Sequence, residues 1–142
     1  MQSVQQMLGN RKTETYFVSP GDTVLDAIKQ MAERGVGALV VLEGETLVGI
    51  VSERDYARKI VLQGKNSKDT FVREIMSSPV ITASLTQRAN DCMQIMTDRR
   101  IRHMPVVDAG KVVGMLSIGD MLKVVIEHLK RENEQLAQYI NS

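Results

Sequence analysis

Gly49-Ile50-Val51-Ser52-Glu53-Arg54-Asp55 returns 65 residues later as Gly114-Met115-Leu116-Ser117-Ile118-Gly119-Asp120. Outward from this stretch, residue i falls on residue i+65 without a gap from Glu14 to Val61, with Ser19/Ser84, Asp26/Asp91, Met31/Met96, Arg34/Arg99, Val41/Val106 and Val48/Val113 also identical. The apolar pattern agrees at most other positions. A period this long is not that of a solenoid. It predicts one supersecondary unit, duplicated, with two halves sharing a core.

Each half reads as β-α-β-β-α. In the first, Tyr16 to Val18 is a short strand closed by Ser19-Pro20-Gly21-Asp22, and Asp22 is the expected N-cap of a helix over Thr23 to Arg34. Gly35 ends that helix. Ala38 to Leu42 and Leu47 to Val51 form a hairpin about Gly44-Glu45, and a second helix runs from Glu53 to Leu62. The second half repeats the order with a strand Val80 to Ala83, a helix Thr86 to Arg99, strands His103 to Val107 and Val112 to Leu116, and a closing helix. A three-stranded sheet with helices on one face leaves an apolar side bare, whereas two such halves cover each other. The fold class is therefore α+β. Residues 10–63 make repeat 1, residues 64–70 a polar linker, residues 71–130 repeat 2, and residues 131–142 a helical extension. Before the first repeat, Val4, Met7 and Leu8 suit a short helix. The closing helix, about Asp120 to Tyr139, carries Leu122, Val125, Leu129 and Leu136 near a coiled-coil stripe that Glu132 interrupts.

The 142 residues suffice for one core, and a composition of 43% hydrophobic and 25% charged is that of a globular protein. With no Trp and two Phe, nine Met must help to fill the interior. A net charge of +1 with few aromatics speaks against nucleic acid as a partner. No apolar run is long enough for a membrane span and no signal peptide is read, so a cytoplasmic setting is expected. Cys92 is the single cysteine, on a helix beside Met93 and Met96, and is expected to be packed rather than reactive.

Gly-x-x-Ser-x-x-Asp falls where a strand gives way to a helix. Amides at a helix start carry partial positive charge and favour an anion. Ser52 and Ser117 add a hydroxyl to each such cradle. Asp55 and Asp120 lie one turn on, facing the same space, and a carboxylate can accept from the 2′ and 3′ hydroxyls of a ribose. Gly49 and Gly114 permit close approach of another group. Phosphate beside the serine, ribose on the aspartate and a flat base among apolar strand residues describe a nucleoside phosphate. A single copy would read as an ordinary helix cap; two in matched context favour the functional reading.

Together with Ile75-Met76-Ser77 opening the second repeat and Arg102-His103-Met104-Pro105-Val106-Val107 on its second strand, these motifs make the chain resemble a tandem pair of CBS (cystathionine-β-synthase) domains over about residues 10–130. Ser52-Glu53-Arg54-Asp55-Tyr56-Ala57-Arg58 is similar to stand-alone bacterial members. The resemblance implies a regulatory, homodimeric module with clefts between the repeats for AMP, ADP, ATP, NAD or S-adenosylmethionine, read by an effector protein the sequence does not name. It implies one pocket of Ser52, Arg54 and Asp55 with Ser77, Ile81, His103 and Pro105. The other would hold Ser117 and Asp120 with Lys12, Tyr16, Gly37 and Ala38. Arg102 and His103 align with Gly37 and Ala38, and Arg54 with Gly119, so the pockets are unequal. Arg102 and His103 suit phosphate contact, Arg99 a solvated helix end. Phosphorylated ligand is expected to bind more tightly on the Asp55 side.

Nothing in the chain suggests catalysis. The two histidines, His103 and His128, stand in no nucleophile-elbow context; Gly-x-Ser-x-Gly, a Gly-x-x-x-x-Gly-Lys-Ser/Thr loop and Gly-x-Gly-x-x-Gly are missing; and Cys92 with two distant histidines is a poor zinc set. No metal and no catalytic cofactor are expected. The remaining alternative is an interaction module with vestigial pockets.

Overall fold

A computed structural model describes residues 1–9 and 15–141. In chain order the elements are helix α1 (Val4–Leu8), strand β1 (Phe17–Val18), helix α2 (Val24–Arg34), strands β2 (Ala38–Glu43) and β3 (Thr46–Ser52), helix α3 (Glu53–Tyr56) running into a π-helical turn (Ala57–Val61), helices α4 (Val72–Ile75) and α5 (Ala89–Arg99), strands β4 (His103–Asp108) and β5 (Lys111–Ser117), and helix α6 (Ile118–Asn141). Two compact units emerge. One holds residues 14–81 and 109–113; the other holds residues 1–13, 82–108 and 114–142.

In the unit of residues 14–81, β1 pairs in parallel with β2, Val18 opposite Val41, and β2 pairs antiparallel with β3, Ala38 opposite Ser52. The apolar faces of α2 and this sheet close on a core of Val18, Val24, Ala27, Met31, Leu39, Val41, Val51, Ile60, Val72 and Ile75. Val18, Val24, Ala27, Met31, Leu39, Val41 and Val51 have counterparts 65 residues on in Ala83, Ala89, Cys92, Met96, Met104, Val106 and Leu116, all buried. The duplication therefore repeats the core position by position. Met31, Met96, Met104 and Met121 are fully buried, as residues that fill space left by absent aromatics. Cys92 is fully buried as well, and burial with Asp91 nearby pushes its thiol pKa up.

Several sequence expectations change. The cap of α2 is Thr23, whose Oγ1 accepts from the Asp26 amide, while Asp22 Oδ2 accepts from the Ser19 amide and closes the preceding turn instead. Strand Val80 to Ala83 shrinks to one parallel bridge, Ala83 with Val106, so β4 and β5 form a two-stranded sheet where three strands were expected. Helix α5 begins at Ala89 rather than Thr86, because the Ser84 amide donates to Gln87 Oε1 and folds those residues into a turn. The helix expected over Glu53 to Leu62 is α-helical for four residues and then widens, with the Leu62 amide reaching back five residues to the Ala57 carbonyl. Helix α6 starts two residues early, at Ile118.

The start of α2 is closed by the linker. The Val24 and Leu25 amides donate to the Thr70 and Ser67 carbonyls, and the Val72 and Arg73 amides of α4 return to the Asp22 and Pro20 carbonyls. These bonds satisfy donors that every helix start leaves open. The other unit uses α1 in the same way: Ala89 donates to the Gln2 carbonyl, and Val4 and Gln5 donate to the Gln87 and Leu85 carbonyls. Val4-Gln5-Gln6-Met7-Leu8 is thus the counterpart of Val72-Arg73-Glu74-Ile75-Met76, at a spacing of 68 rather than 65. The repeat extends to the beginning of the chain, with three extra residues between α1 and β1 that hide it from gap-free comparison.

Candidate functional site

Both Gly-x-x-Ser-x-x-Asp segments lie at strand-to-helix junctions, β3 into α3 and β5 into α6. Each is a reciprocal cap. Asp55 Oδ2 accepts from the Ser52 amide at 2.9 Å and from Ser52 Oγ at 3.0 Å, and the Asp55 amide donates to Ser52 Oγ at 3.2 Å. Asp120 Oδ2 accepts from the Ser117 amide at 3.1 Å, and the Asp120 amide donates to Ser117 Oγ at 3.2 Å. The next amide in each copy is also taken, Glu53 by the Gly37 carbonyl and Ile118 by the Arg102 carbonyl, both at matched positions. Three of the amides at each helix start are therefore spent inside the fold. The Oδ1 edge of each carboxylate takes no part in these caps.

Both aspartates and both serines are partly buried, while Gly49 and Gly114 are buried. Lys59, one turn beyond Asp55, places Nζ 3.4 Å from Asp55 Oδ1 and 2.7 Å from the Ile75 carbonyl, tying α4 to the acid. Arg54 is exposed beside it. The matched positions in the other copy are Gly119 and Val124. Lys59 thus attends Asp55 where the other copy has Val124. Lys59 was not recognised from the sequence; the i, i+4 spacing to Asp55 was the available signal.

The Ser77 amide and carbonyl pair with Ile50, which brings Ser77 alongside β3 two residues before Ser52. Gly49 lets Met76 approach closely: a Cβ on it would stand 2.5 Å from Met76 Sδ and 3.2 Å from Met76 Cβ, so any other residue would push the methionine side chain aside. Gly37 and Ala38 also sit beside the first junction, Gly37 through its carbonyl and Ala38 as the register partner of Ser52. Tyr16 packs on the core of residues 14–81, with the Arg34 guanidinium 4.6 Å over its ring. Ile81 is partly buried within the same unit. In the other unit Arg102 is exposed, His103 partly buried and Pro105 buried, with Arg102 and His103 next to the Ser117 junction. The structure thus gathers Ser52, Asp55, Ser77, Gly37 and Ala38 at one junction and Ser117, Asp120, Arg102 and His103 at the other. The sets implied by resemblance, which gave Gly37 and Ala38 to Asp120 and His103 and Pro105 to Asp55, draw on residues of both units. Lys12 lies outside the described residues. The spacing of 68 that relates α1 to α4 makes Gly9 the counterpart of Ser77.

Beside Asp120 lies a cavity of about 390 Å³, lined by Gln6, Met7 and Leu8 of α1, Met115 and Leu116 of β5, and Lys123 of α6 among others. The cavity is within the range of small-molecule sites. Its α1 lining escaped the sequence reading because the shifted spacing concealed that α1 belongs to the repeat. Among the described residues no group of three His, Cys, Asp or Glu side chains is placed to hold a metal. Nor is any helix there long and apolar enough to cross a membrane.

A duplicated β-α-β-β-α unit with a Ser–Asp junction in each copy defines the class. The sequence matches the CBS domain family over residues 12–62 and 72–127, and the chain belongs to that family as a tandem pair. A protein with CBS domains from Burkholderia ambifaria is 48% identical with a TM-score of 0.85, the match covering 89% of this chain and 95% of that one. The mitochondrial CBS domain-containing protein CBSX3 of Arabidopsis thaliana is 45% identical over 84% of this chain, which spans 60% of that relative's length. A CBS domain protein from Pyrobaculum aerophilum, solved in complex with AMP, is 28% identical with a TM-score of 0.74, covering 84% of this chain and 89% of that one.

Proposed function

We propose that this chain is a non-catalytic regulatory module that binds adenine nucleotides and passes the bound state to an effector protein. The observation that carries the reading is the pair of Ser–Asp junctions with a nucleoside-sized cavity beside Asp120; the Oδ1 edge of each carboxylate is the proposed seat of a ribose diol, shared with Lys59 at Asp55. The AMP complex of the Pyrobaculum relative supports adenine as the base. AMP, ADP, ATP and NAD are the ligand class, with S-adenosylmethionine as the alternative adenosine ligand. Ser52, Arg54, Asp55, Ser77, Ile81, Arg102, His103, Pro105, Ser117, Asp120, Lys12, Tyr16, Gly37 and Ala38 are the proposed contacts. A homodimer in the cytoplasm is part of the proposal; the Arabidopsis relative is described as mitochondrial.

The two sites differ in charge. Arg54 and Lys59 favour phosphate on the Asp55 side. Asp55→Asn and Asp120→Asn each keep an oxygen for the helix cap while losing the charge that orders a ribose, so binding is separated from folding. By titration calorimetry Asp55→Asn is expected to weaken AMP at least about tenfold, equivalent to about 1.4 kcal/mol, and more than Asp120→Asn does. A larger loss from Asp120→Asn overturns the ranking. The absence of heat and of any melting shift with AMP, ADP, ATP, NAD and S-adenosylmethionine overturns the nucleotide reading in favour of an interaction module with vestigial pockets, because a ligand of the folded state must stabilise it.

A further inference from the structure

Lys59 joins two parts of the unit of residues 14–81. Its ammonium lies 3.4 Å from Asp55 Oδ1 and donates to the Ile75 carbonyl at 2.7 Å, two residues before Ser77. Asp55 Oδ2 already accepts from the amide and the hydroxyl of Ser52. The edge that a ribose diol would take is therefore covered by a cation. The Asp55 side chain is only 15% exposed, so its charge is mostly out of water and needs a partner. The other copy is built differently. Val124 stands at the position of Lys59, and among the described residues no ion pair holds Asp120. The backbone differs as well: Lys59 sits in the π-helical turn Ala57–Val61, whereas residues 122–126 lie within the unbroken α6. Such turns recur at functional sites.

We infer, on the nucleotide reading of this junction, that Lys59 is a specificity residue that admits phosphorylated adenosine ligands to the Asp55 side and holds out uncharged or cationic ones. An adenosine without phosphate reaches Oδ1 only by displacing the ammonium, and it offers hydroxyl dipoles in exchange for an ion pair. Lys59 is then left beside an occupied acid with no anion of its own. A 5′-phosphate changes that balance. The lysine exchanges one anion for another of higher charge, so Asp55 is released to the diol while the ammonium turns to the phosphate. A compact charge on a flexible four-carbon stem suits such an exchange. AMP, ADP, ATP and NAD are thus the class for the Asp55 side. S-adenosylmethionine, whose sulfonium repels the ammonium, is held out there, and so is an uncharged thioether of adenosine. The Asp120 side, where no ammonium is paired with the acid, lacks that filter.

Titration calorimetry with AMP and with adenosine tests this in an Asp120→Asn parent, in which the Asp55 side is the source of heat. Lys59→Met is expected to bind adenosine about threefold more tightly and AMP about threefold more weakly, so that the preference for AMP falls about tenfold. Lys59→Gln, which keeps a donor without the charge, is expected to do the same, and Lys59→Arg to retain the preference. A purely structural strap would instead weaken both ligands together when cut. An adenosine affinity that fails to rise in Lys59→Met and Lys59→Gln, or a preference that stays unchanged, overturns the inference and leaves nucleotide binding intact. Heat from the unsubstituted chain but none from the Asp120→Asn parent does the same. No heat from the unsubstituted chain with either ligand overturns the nucleotide reading, and the role of Lys59 with it.

Discussion

Arg100 and Gly35 occupy matched positions and share the left-handed backbone that ends a helix, at φ 55° and φ 65°. For a residue with a Cβ that conformation costs about 1–2 kcal/mol, part of which glycine loses again through its freer unfolded chain. Arg100→Gly is therefore expected to stabilise the protein by about 0.5–1 kcal/mol, and Gly35→Ala to destabilise it by about 1 kcal/mol; urea midpoints check both. Cys92 provides a second residue-level test. Burial holds its folded pKa above the unfolded value, so its contribution to stability is complete below about pH 8.5 and falls as pH rises from there through the folded pKa. Cys92→Ala is expected to flatten that part of the pH–stability curve, read from melting temperatures between neutral and alkaline pH. An undiminished slope in the variant would contradict it.

Among the elements, α1 and α4 show how short helices can matter more than their length suggests. Each buries one valine completely, Val4 and Val72, and each closes the start of a longer helix through backbone bonds. Val4→Ala and Val72→Ala are expected to cost about 2 kcal/mol each, measured by denaturant titration, and Val4→Ala is expected to disturb the Asp120 cavity as well because α1 lines it. The hairpins, α2, α5 and both Ser–Asp junctions were legible because period, turn residues and caps are local signals. Val80 to Ala83 was not, since a strand that makes a single bridge carries the same apolar letters as one that makes a ladder. The π-helical turn and the cross-tie from Lys59 to Ile75 depend on tertiary contacts no local pattern encodes. At the candidate site, the identity of Ser and Asp was readable, but their mutual capping, which takes up amides at each helix start, appeared only with geometry.

Across the whole molecule, duplication is the organising fact, and its equivalent positions are buried alike even where the side chains differ, Ala27 against Cys92 and Leu39 against Met104. Belonging to the CBS domain family follows from that pattern. The arms formed by α1 and α4 carry a consequence for how such a chain arose. The leading arm of the first repeat seals the first long helix of the second, and the arm of the second seals that of the first. A lone ancestral copy would have left its own helix start unsealed, and two separate copies could complete each other only by exchanging arms. In this chain the exchange takes place within a single polypeptide, so a cut at the repeat boundary yields pieces that each lack the other's seal.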